Sequence, residues 1–181
     1  MEDKMRIWLT GYRGFELNIF KDDDPKSKII KNVIKQRLIN LAENNELVWV
    51  ITGGQLGIEQ LALSASLELK EDYNIKTAML LPYEGFGSRW HEKNQQVLSN
   101  LKNRVDFCKV TTNNKYQGPY QLKAYQQFVL KHTDKALLVY DPEYPGKPSY
   151  DYEAVKNHQN YHAYELELID FYDLQDAADQ A

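Results

Sequence analysis

The sequence of 181 residues contains a single cysteine, Cys108. One cysteine excludes an intrachain disulfide framework and a cysteine-rich zinc site. No apolar run approaches the roughly 20 residues that a membrane-spanning helix needs. The first residues, MEDKM, carry two acidic side chains and no long apolar stretch, unlike a secretory signal. These absences predict a cytoplasmic protein without a membrane segment.

An excess of positive charge is also missing. The chain has 22 basic and 26 acidic residues, which gives a formal charge of −4. Non-specific nucleic-acid binding depends on neutralising phosphates, so this balance argues against nucleic acid as a partner. The histidines show no metal-ligand spacing with one another or with Cys108, and we expect no metal site. They are His91, His132, His158 and His162.

Short apolar runs alternate with longer amphipathic stretches along the whole chain. The runs predict strands at 5–10, 47–52, 77–81, 105–110, 136–140 and 164–168, and we expect Cys108 to be a small buried residue in the fourth. The amphipathic stretches predict helices at 26–44, 58–73, 91–101, 120–132 and 150–157. Residues 170–181 are expected to form a peripheral acidic tail. This alternation predicts one α/β domain over 1–181, with a mainly parallel sheet between two layers of helices.

Ligands of such sheets bind outside the carboxyl ends of the strands. The second predicted strand runs into a glycine loop, Thr52-Gly53-Gly54-Gln55-Leu56-Gly57-Ile58-Glu59, and then into a helix. Glycine permits positive φ and close approach of a ligand, and the helix N-terminus suits a phosphate. Glu59 is placed to bond ribose hydroxyls beside that phosphate. The alternative is a tight turn in which Glu59 only complements the helix dipole.

Other strand ends supply further candidates, each with a structural alternative. Arg13 is a natural counter-charge for a phosphate, or a surface partner of Glu16. Tyr12, Tyr83 and Trp90 have rings that can stack on a base or cover the sheet edge. Asp141 suits sugar hydroxyls, although Asp-Pro is as good a turn starter.

Three segments together resemble the YpsA family of Gram-positive bacteria. They are Thr10-Gly11-Tyr12-Arg13-x-Phe15-Glu16-Leu17, the glycine loop through Glu59, and Leu137-Leu138-Val139-Tyr140-Asp141-Pro142-Glu143. The family belongs to the Rossmann-like SLOG superfamily, which includes DprA and the LOG phosphoribohydrolases. The resemblance implies a Rossmann-like three-layer domain and a nucleotide-type ligand such as ADP-ribose. It further implies a sensing role linked to cell division or growth, with a homodimer and division proteins as possible partners.

The glycine loop departs from the sequence pattern of the LOG hydrolases and matches that of DprA-like proteins. The corresponding loop of LOG hydrolases resembles P-G-G-x-G-T-x-x-E, in which the glutamate comes four residues after the last glycine. Here Glu59 follows Gly57 by only two residues, which argues against glycosidic hydrolysis. DprA-like proteins resemble S-G-x-A-x-G-I-D, which this loop matches in register.

Three hypotheses follow for the function. They are a nucleotide-binding regulator, a nucleotide-processing enzyme with Glu59 as its only catalytic candidate, and a DNA- or protein-binding module. The predicted ligand-binding residues are Gly11, Tyr12, Arg13, Gly53, Gly54, Gln55, Gly57, Glu59, Tyr83 and Asp141.

Overall fold

The sheet has six parallel strands in the order β4-β3-β2-β1-β5-β6 in the computed structural model, which describes residues 4–181. The strands are β1 (Lys4–Gly11), β2 (Leu47–Thr52), β3 (Ile75–Leu81), β4 (Phe107–Val110), β5 (Lys135–Val139) and β6 (Glu165–Ile169). The central strands are apolar almost throughout because both of their faces are covered. The α/β class and the parallel sheet are therefore confirmed.

Six α-helices flank the sheet. They are α1 (Pro25–Asn44), α2 (Ile58–Leu69), α3 (Glu92–Arg104), α4 (Tyr120–Lys131), α5 (Ser149–Gln159) and α6 (Phe171–Asp179). Helix α1 packs against α2 and α6, and α4 packs against α5. Right-handed crossovers place helices on opposite faces when the chain changes direction across the sheet, as it does after β4. The order of the strands thus accounts for the two groups of helices.

Local chemistry explains where several elements begin and end. Helix α1 begins after Asp24, whose carboxylate accepts a hydrogen bond from the Lys26 amide (2.9 Å), and Pro25 occupies its first position. Helix α2 ends at Leu69, earlier than predicted, because the Asp72 and Tyr73 amides turn back onto the Leu69 carbonyl.

The prediction that Cys108 is buried is wrong. Cys108 is exposed, as are its neighbours Phe107 and Lys109. Strand β4 lies at the edge of the sheet and pairs with β3 alone. An apolar run at an edge is not covered as a central strand is, so its side chains remain accessible to solvent.

The acidic end of the chain forms the docked helix α6. A capping box joins Asp170 and Asp173 at its start. None of its residues is buried, but Leu174 packs against the core and the Phe171 ring stacks on Tyr12 with centroids 5.3 Å apart. This segment is peripheral and acidic, and it is attached to the body of the domain through its first turn.

Among the helices of residues 4–181, none combines the length and apolar character needed to cross a membrane.

Candidate functional site

A cavity of about 740 Å³ opens at the carboxyl ends of β1, β2 and β3. Its inner wall comes from the ends of these strands and the glycine loop, and its outer wall from α4 and the start of α5. Seven of the ten predicted residues line it: Gly11, Tyr12, Arg13, Gly53, Gly54, Gln55 and Glu59. The edge at which ligands bind in such sheets therefore carries a cavity large enough for a small molecule.

The carboxylate of Glu59 folds back onto the glycine loop. One oxygen accepts a hydrogen bond from the Gln55 amide (2.9 Å), and the other accepts one from the Thr10 hydroxyl (2.8 Å). A Cβ added at Gly53 would collide with this carboxylate, so glycine at 53 leaves room for Glu59. Burial raises the pKa of Glu59, while these hydrogen bonds and the charge of Arg13 oppose the increase.

Gly57 joins the glycine loop to the segment that follows β1. Its φ is +107°, and a Cβ there would lie 2.7 Å from both the Arg13 carbonyl carbon and the Tyr12 carbonyl oxygen. Backbone hydrogen bonds from Ile58 to Tyr12 (3.0 Å) and from Gly14 to Leu56 (3.2 Å) hold the two segments together. Contact between these loops explains this glycine independently of any ligand.

Three amides around the start of α2 already have acceptors within the protein. The Gln55 amide donates to Glu59, the Leu56 amide to the Gln55 side chain (3.2 Å), and the Ile58 amide to Tyr12 (3.0 Å). Glu59 itself supplies the negative charge that the helix dipole favours. An anionic ligand must therefore find most of its charge partners elsewhere in the cavity.

Three basic side chains, Arg13, Lys123 and Lys147, line the cavity and provide such partners. Within residues 4–181, none of them takes part in an ion pair. Glu16, the predicted alternative partner of Arg13, accepts hydrogen bonds from the backbone amides of Arg13 (2.9 Å) and Lys147 (2.8 Å). Glu16 thus holds two loops together and forms no ion pair with the guanidinium, which leaves Arg13 able to bind an anion.

Two polar residues of the cavity, Tyr125 and Asp151, were not predicted from the sequence. One oxygen of Asp151 accepts a hydrogen bond from the Gln126 side chain (2.8 Å). Burial, assisted by the charge of Glu59, raises the pKa of Asp151 to about 7. The buried hydroxyl of Tyr125 has no hydrogen-bond partner among residues 4–181.

In the sequence, both residues are consistent with ordinary structural roles, and neither is marked as a site residue. Tyr125 falls on the apolar stripe of α4, and Asp151 is an acidic residue in the first turn of α5. The available signal was positional, because α4 and α5 each begin in a loop at the carboxyl edge of the sheet.

Three predicted residues lie outside the cavity lining, namely Gly57, Tyr83 and Asp141. Tyr83 packs against Phe86 and Tyr116, with ring centroids 5.7 and 5.1 Å away. The Asp141 carboxylate accepts hydrogen bonds from the amides of Glu143 (2.9 Å) and Phe171 (3.3 Å).

Tyr12 lines the cavity, but its hydroxyl group is committed to the protein. It donates to the Tyr144 carbonyl (2.7 Å) and accepts from the Asp141 amide (2.9 Å). The apolar part of the wall comes instead from Pro82, Phe86, Pro119, Leu122, Pro148 and Tyr150. Phe86 and Tyr150 join Tyr12 and Tyr125 as aromatic residues of the cavity lining, whereas Tyr83 and Trp90 lie outside it.

No group of three or more His, Cys, Asp or Glu side chains in the described part of the chain is arranged to hold a metal ion.

A comparison with known protein families identifies the family of this chain. The family model described as the YspA SLOG family (YpsA) matches residues 7–174, which include every residue of the cavity. The chain belongs to the YpsA family of SLOG proteins. The family resemblance noted from the strand-end motifs is thereby confirmed.

Relatives of this YpsA-family chain are UPF0398 proteins of lactobacilli and their kin. One from Lactobacillus delbrueckii subsp. bulgaricus is 55% identical and is matched over 96% of this chain and 94% of its own length. Another from Latilactobacillus sakei subsp. sakei is 49% identical, with 97% and 94% covered. The chain thus spans nearly the full length of these relatives.

A solved structure supports the fold of this YpsA-family chain. DNA processing protein A from Helicobacter pylori, a structure described for its single-stranded DNA binding mode, superposes with a TM-score of 0.58. The match covers 98% of this chain and 80% of that chain at 13% sequence identity. At this identity the likeness establishes the shared SLOG-type fold alone.

Proposed function

We propose that this protein is a nucleotide-binding regulator and that its ligand, ADP-ribose or a related nucleotide, occupies the cavity at the carboxyl edge of the sheet. The observation that carries the proposal is that Arg13, Lys123 and Lys147 line one cavity and take part in no ion pair within residues 4–181, although Glu59, Asp151 and Glu153 line it too. A phosphate group would pair with these basic side chains.

The rest of the cavity accommodates the other parts of a nucleotide. Phe86, Leu122 and Tyr150 offer an apolar surface against which a base can pack. Glu59 and Asp151 offer carboxylate oxygens as hydrogen-bond acceptors. A regulatory role in growth or division, which the family resemblance implied, would then depend on whether the ligand is bound.

A thermal-shift screen tests the proposal, with AMP, ADP, ADP-ribose, NAD, nucleotide sugars and short single-stranded DNA. A ligand at ~100 times its Kd adds about 2.7 kcal/mol of stability. For a domain of this size we expect the midpoint to rise by roughly 5–10 °C. A flat response to every nucleotide would contradict the proposal.

Paired lysine variants on α4 locate the site. We expect Lys123→Gln to reduce the shift, because Lys123 lines the cavity. Lys131→Gln changes the same charge at the exposed end of the helix, outside the cavity lining, and we expect it to leave the shift unchanged. Equal effects of both variants would indicate a general charge effect rather than a site.

An enzymatic role is the second candidate, and the carboxyl groups of Glu59 and Asp151 in the cavity favour it. The pKa values of Glu59 and Asp151 are both raised, as in residues that donate protons at neutral pH. Incubation with each ligand of the screen, followed by chromatography for free base, ribose phosphate or phosphate, separates the two functions. Product formation that is lost in Glu59→Gln would support an enzyme, and intact ligand would support a regulator.

Single-stranded DNA enters the screen because the structural neighbour is described as binding it. Binding of DNA through the three basic residues would weaken steeply as salt concentration rises. The formal charge of −4 argues against this partner.

A further inference from the structure

The hydroxyl group of Tyr125 is polar, buried and unpaired within the described residues. The side chain is 9% exposed and lines the cavity. The hydroxyl lies beside Gly53, 3.0 Å from the position that a Cβ would occupy there. Burial of an unpaired hydroxyl is unfavourable, and native proteins almost always satisfy such groups. A bound molecule would provide the missing partner.

Asp151 and Glu59 line the same cavity as this hydroxyl, and a Cβ at Gly53 would meet both the Glu59 carboxylate and the Tyr125 hydroxyl. The charges of the two carboxyl groups help to raise the pKa of Tyr125. Gln126 binds one oxygen of Asp151, and no donor within residues 4–181 binds the other. Each carboxylate oxygen can accept more than one hydrogen bond. This polar part of the cavity therefore presents one hydroxyl donor and several free acceptor positions.

This arrangement selects the part of a ligand that can bind there. A phosphate is disfavoured beside two carboxyl groups, whereas Arg13, Lys123 and Lys147 offer it cationic partners. A base fits the apolar wall better than this polar part. A sugar diol satisfies the requirement, because its hydroxyls donate to carboxylates and accept from a phenol.

We propose that Asp151 and Tyr125 bind the ribose diol of the ligand, so that the cavity selects ribonucleotides over 2′-deoxyribonucleotides. The inference rests on the proposed function, since it assigns the sugar of the nucleotide for which that function argues. Loss of the 2′-hydroxyl leaves buried polar groups unpaired, which makes rejection of the deoxy analogue strong. The same selection disfavours a DNA strand as the ligand.

Isothermal titration with ADP and 2′-deoxy-ADP measures the selection directly. We expect wild-type protein to bind ADP at least about tenfold more tightly than 2′-deoxy-ADP, which corresponds to about 1.4 kcal/mol. Tyr125→Phe removes only the hydroxyl, and we expect the ratio to fall to about threefold or less. Asp151→Asn can still accept from Gln126 but presents an amide donor toward the ligand, and we expect a similar loss.

A matched control removes a carboxylate elsewhere. Asp176 is exposed on α6 and outside the cavity lining, so Asp176→Asn should keep the wild-type ratio. Tyr125→Phe should unfold at the wild-type temperature or above it, because the hydroxyl that it removes is unpaired. A lower midpoint would show that the hydroxyl has a partner in the free protein and would overturn the inference.

The remaining outcomes separate the inference from the function on which it rests. Equal affinity of wild type for ADP and 2′-deoxy-ADP overturns the inference and leaves the proposed function intact. A high ratio that survives in both variants also overturns it, because other residues then discriminate. Absence of ADP binding overturns it as well, and the proposed function fails too if the whole nucleotide screen is flat.

Discussion

Gly57 is the position in the glycine loop where backbone conformation and packing both require glycine. Its φ of +107° is unfavourable for any residue with a Cβ, and the carbonyl groups of Tyr12 and Arg13 fill the adjacent space. Gly85 also has positive φ, +77°, but a Cβ there meets only the Ser88 hydroxyl at 3.7 Å. At both positions a residue with a Cβ would be strained, but only at Gly57 does the Cβ lack space.

We therefore expect Gly57→Ala to destabilise the protein by about 2–4 kcal/mol, since strain and a backbone collision add. Gly85→Ala should cost about 1–2 kcal/mol, the strain alone. Urea unfolding of both variants measures the difference. Equal losses would show that the loop after β1 moves away from Gly57 without cost.

The side chains at the site were only partly predictable from the sequence. Arg13 and Glu59 were identified because they follow strand ends, where the backbone determines position. Tyr12 and Asp141 follow strand ends as well, but the Tyr12 hydroxyl bonds to the backbone near Asp141, and the Asp141 carboxylate bonds to backbone amides outside the cavity. The sequence does not specify the direction of a side chain. Tyr125 was missed because an aromatic residue on an apolar helical stripe normally belongs to the core.

At the scale of elements, Asp141 joins the end of β5 to helix α6. Its carboxylate accepts from the amide of Phe171, the first residue of α6, and from that of Glu143. The residue is 4% exposed, and neither of its amide partners belongs to the cavity lining. The geometry favours the turn role over the sugar role that the sequence left open.

We expect Asp141→Ala to cost about 1–3 kcal/mol, because it removes a buried carboxylate that accepts hydrogen bonds from two amides. Hydrogen exchange should accelerate in α6 more than in the central strands. Asp179→Ala removes an exposed carboxylate from the same helix and should change stability by less than about 0.5 kcal/mol. Uniform acceleration across the sheet would contradict a local role.

Elements were predicted best where burial is complete. The bounds of β2 agree with the prediction, because a continuous apolar run between polar segments has a single interpretation. Strand β4 begins at Phe107 rather than at residue 105, and its environment was misjudged. Whether a strand is central or at an edge depends on the order of the sheet, which local sequence does not contain.

At the scale of the whole molecule, Asp151 makes stability depend on pH. Its pKa is about 7 in the folded protein, against about 3.9 in an unfolded chain. The folded state thus binds more protons than the unfolded state between these values. Stability is greatest below the unfolded pKa and falls as pH rises toward 7.

We expect wild-type protein to lose stability between pH 5 and pH 8, and Asp151→Asn to lose less. Glu59 contributes with the same sign in both proteins, so the difference between the two profiles reports Asp151 together with its coupling to Glu59. Denaturant unfolding at fixed temperature across this range measures it. Parallel profiles would show that the Asp151 carboxyl titrates in the folded state as it does in the unfolded chain.

The α/β fold class was predictable from the sequence, whereas the order of the strands in the sheet was not. Alternation of strands and helices predicts a parallel sheet, but several orders satisfy the same pattern. Long-range contacts select one of them, including the paired hydrogen bonds from Arg6 to Asp134 (2.9 and 3.2 Å) that place β1 beside β5.

This placement of β1 has a consequence for biosynthesis. Strand β1 is made early, yet one of its two neighbours, β5, is translated only after α4. Until then one side of β1 has no pairing partner, and a growing chain that already contains Arg13 and Glu59 lacks part of the outer wall. Such late, distant pairing is slow to form. The cavity is therefore complete only in chains that have been translated through α5, which supplies Tyr150 and Asp151 to its wall.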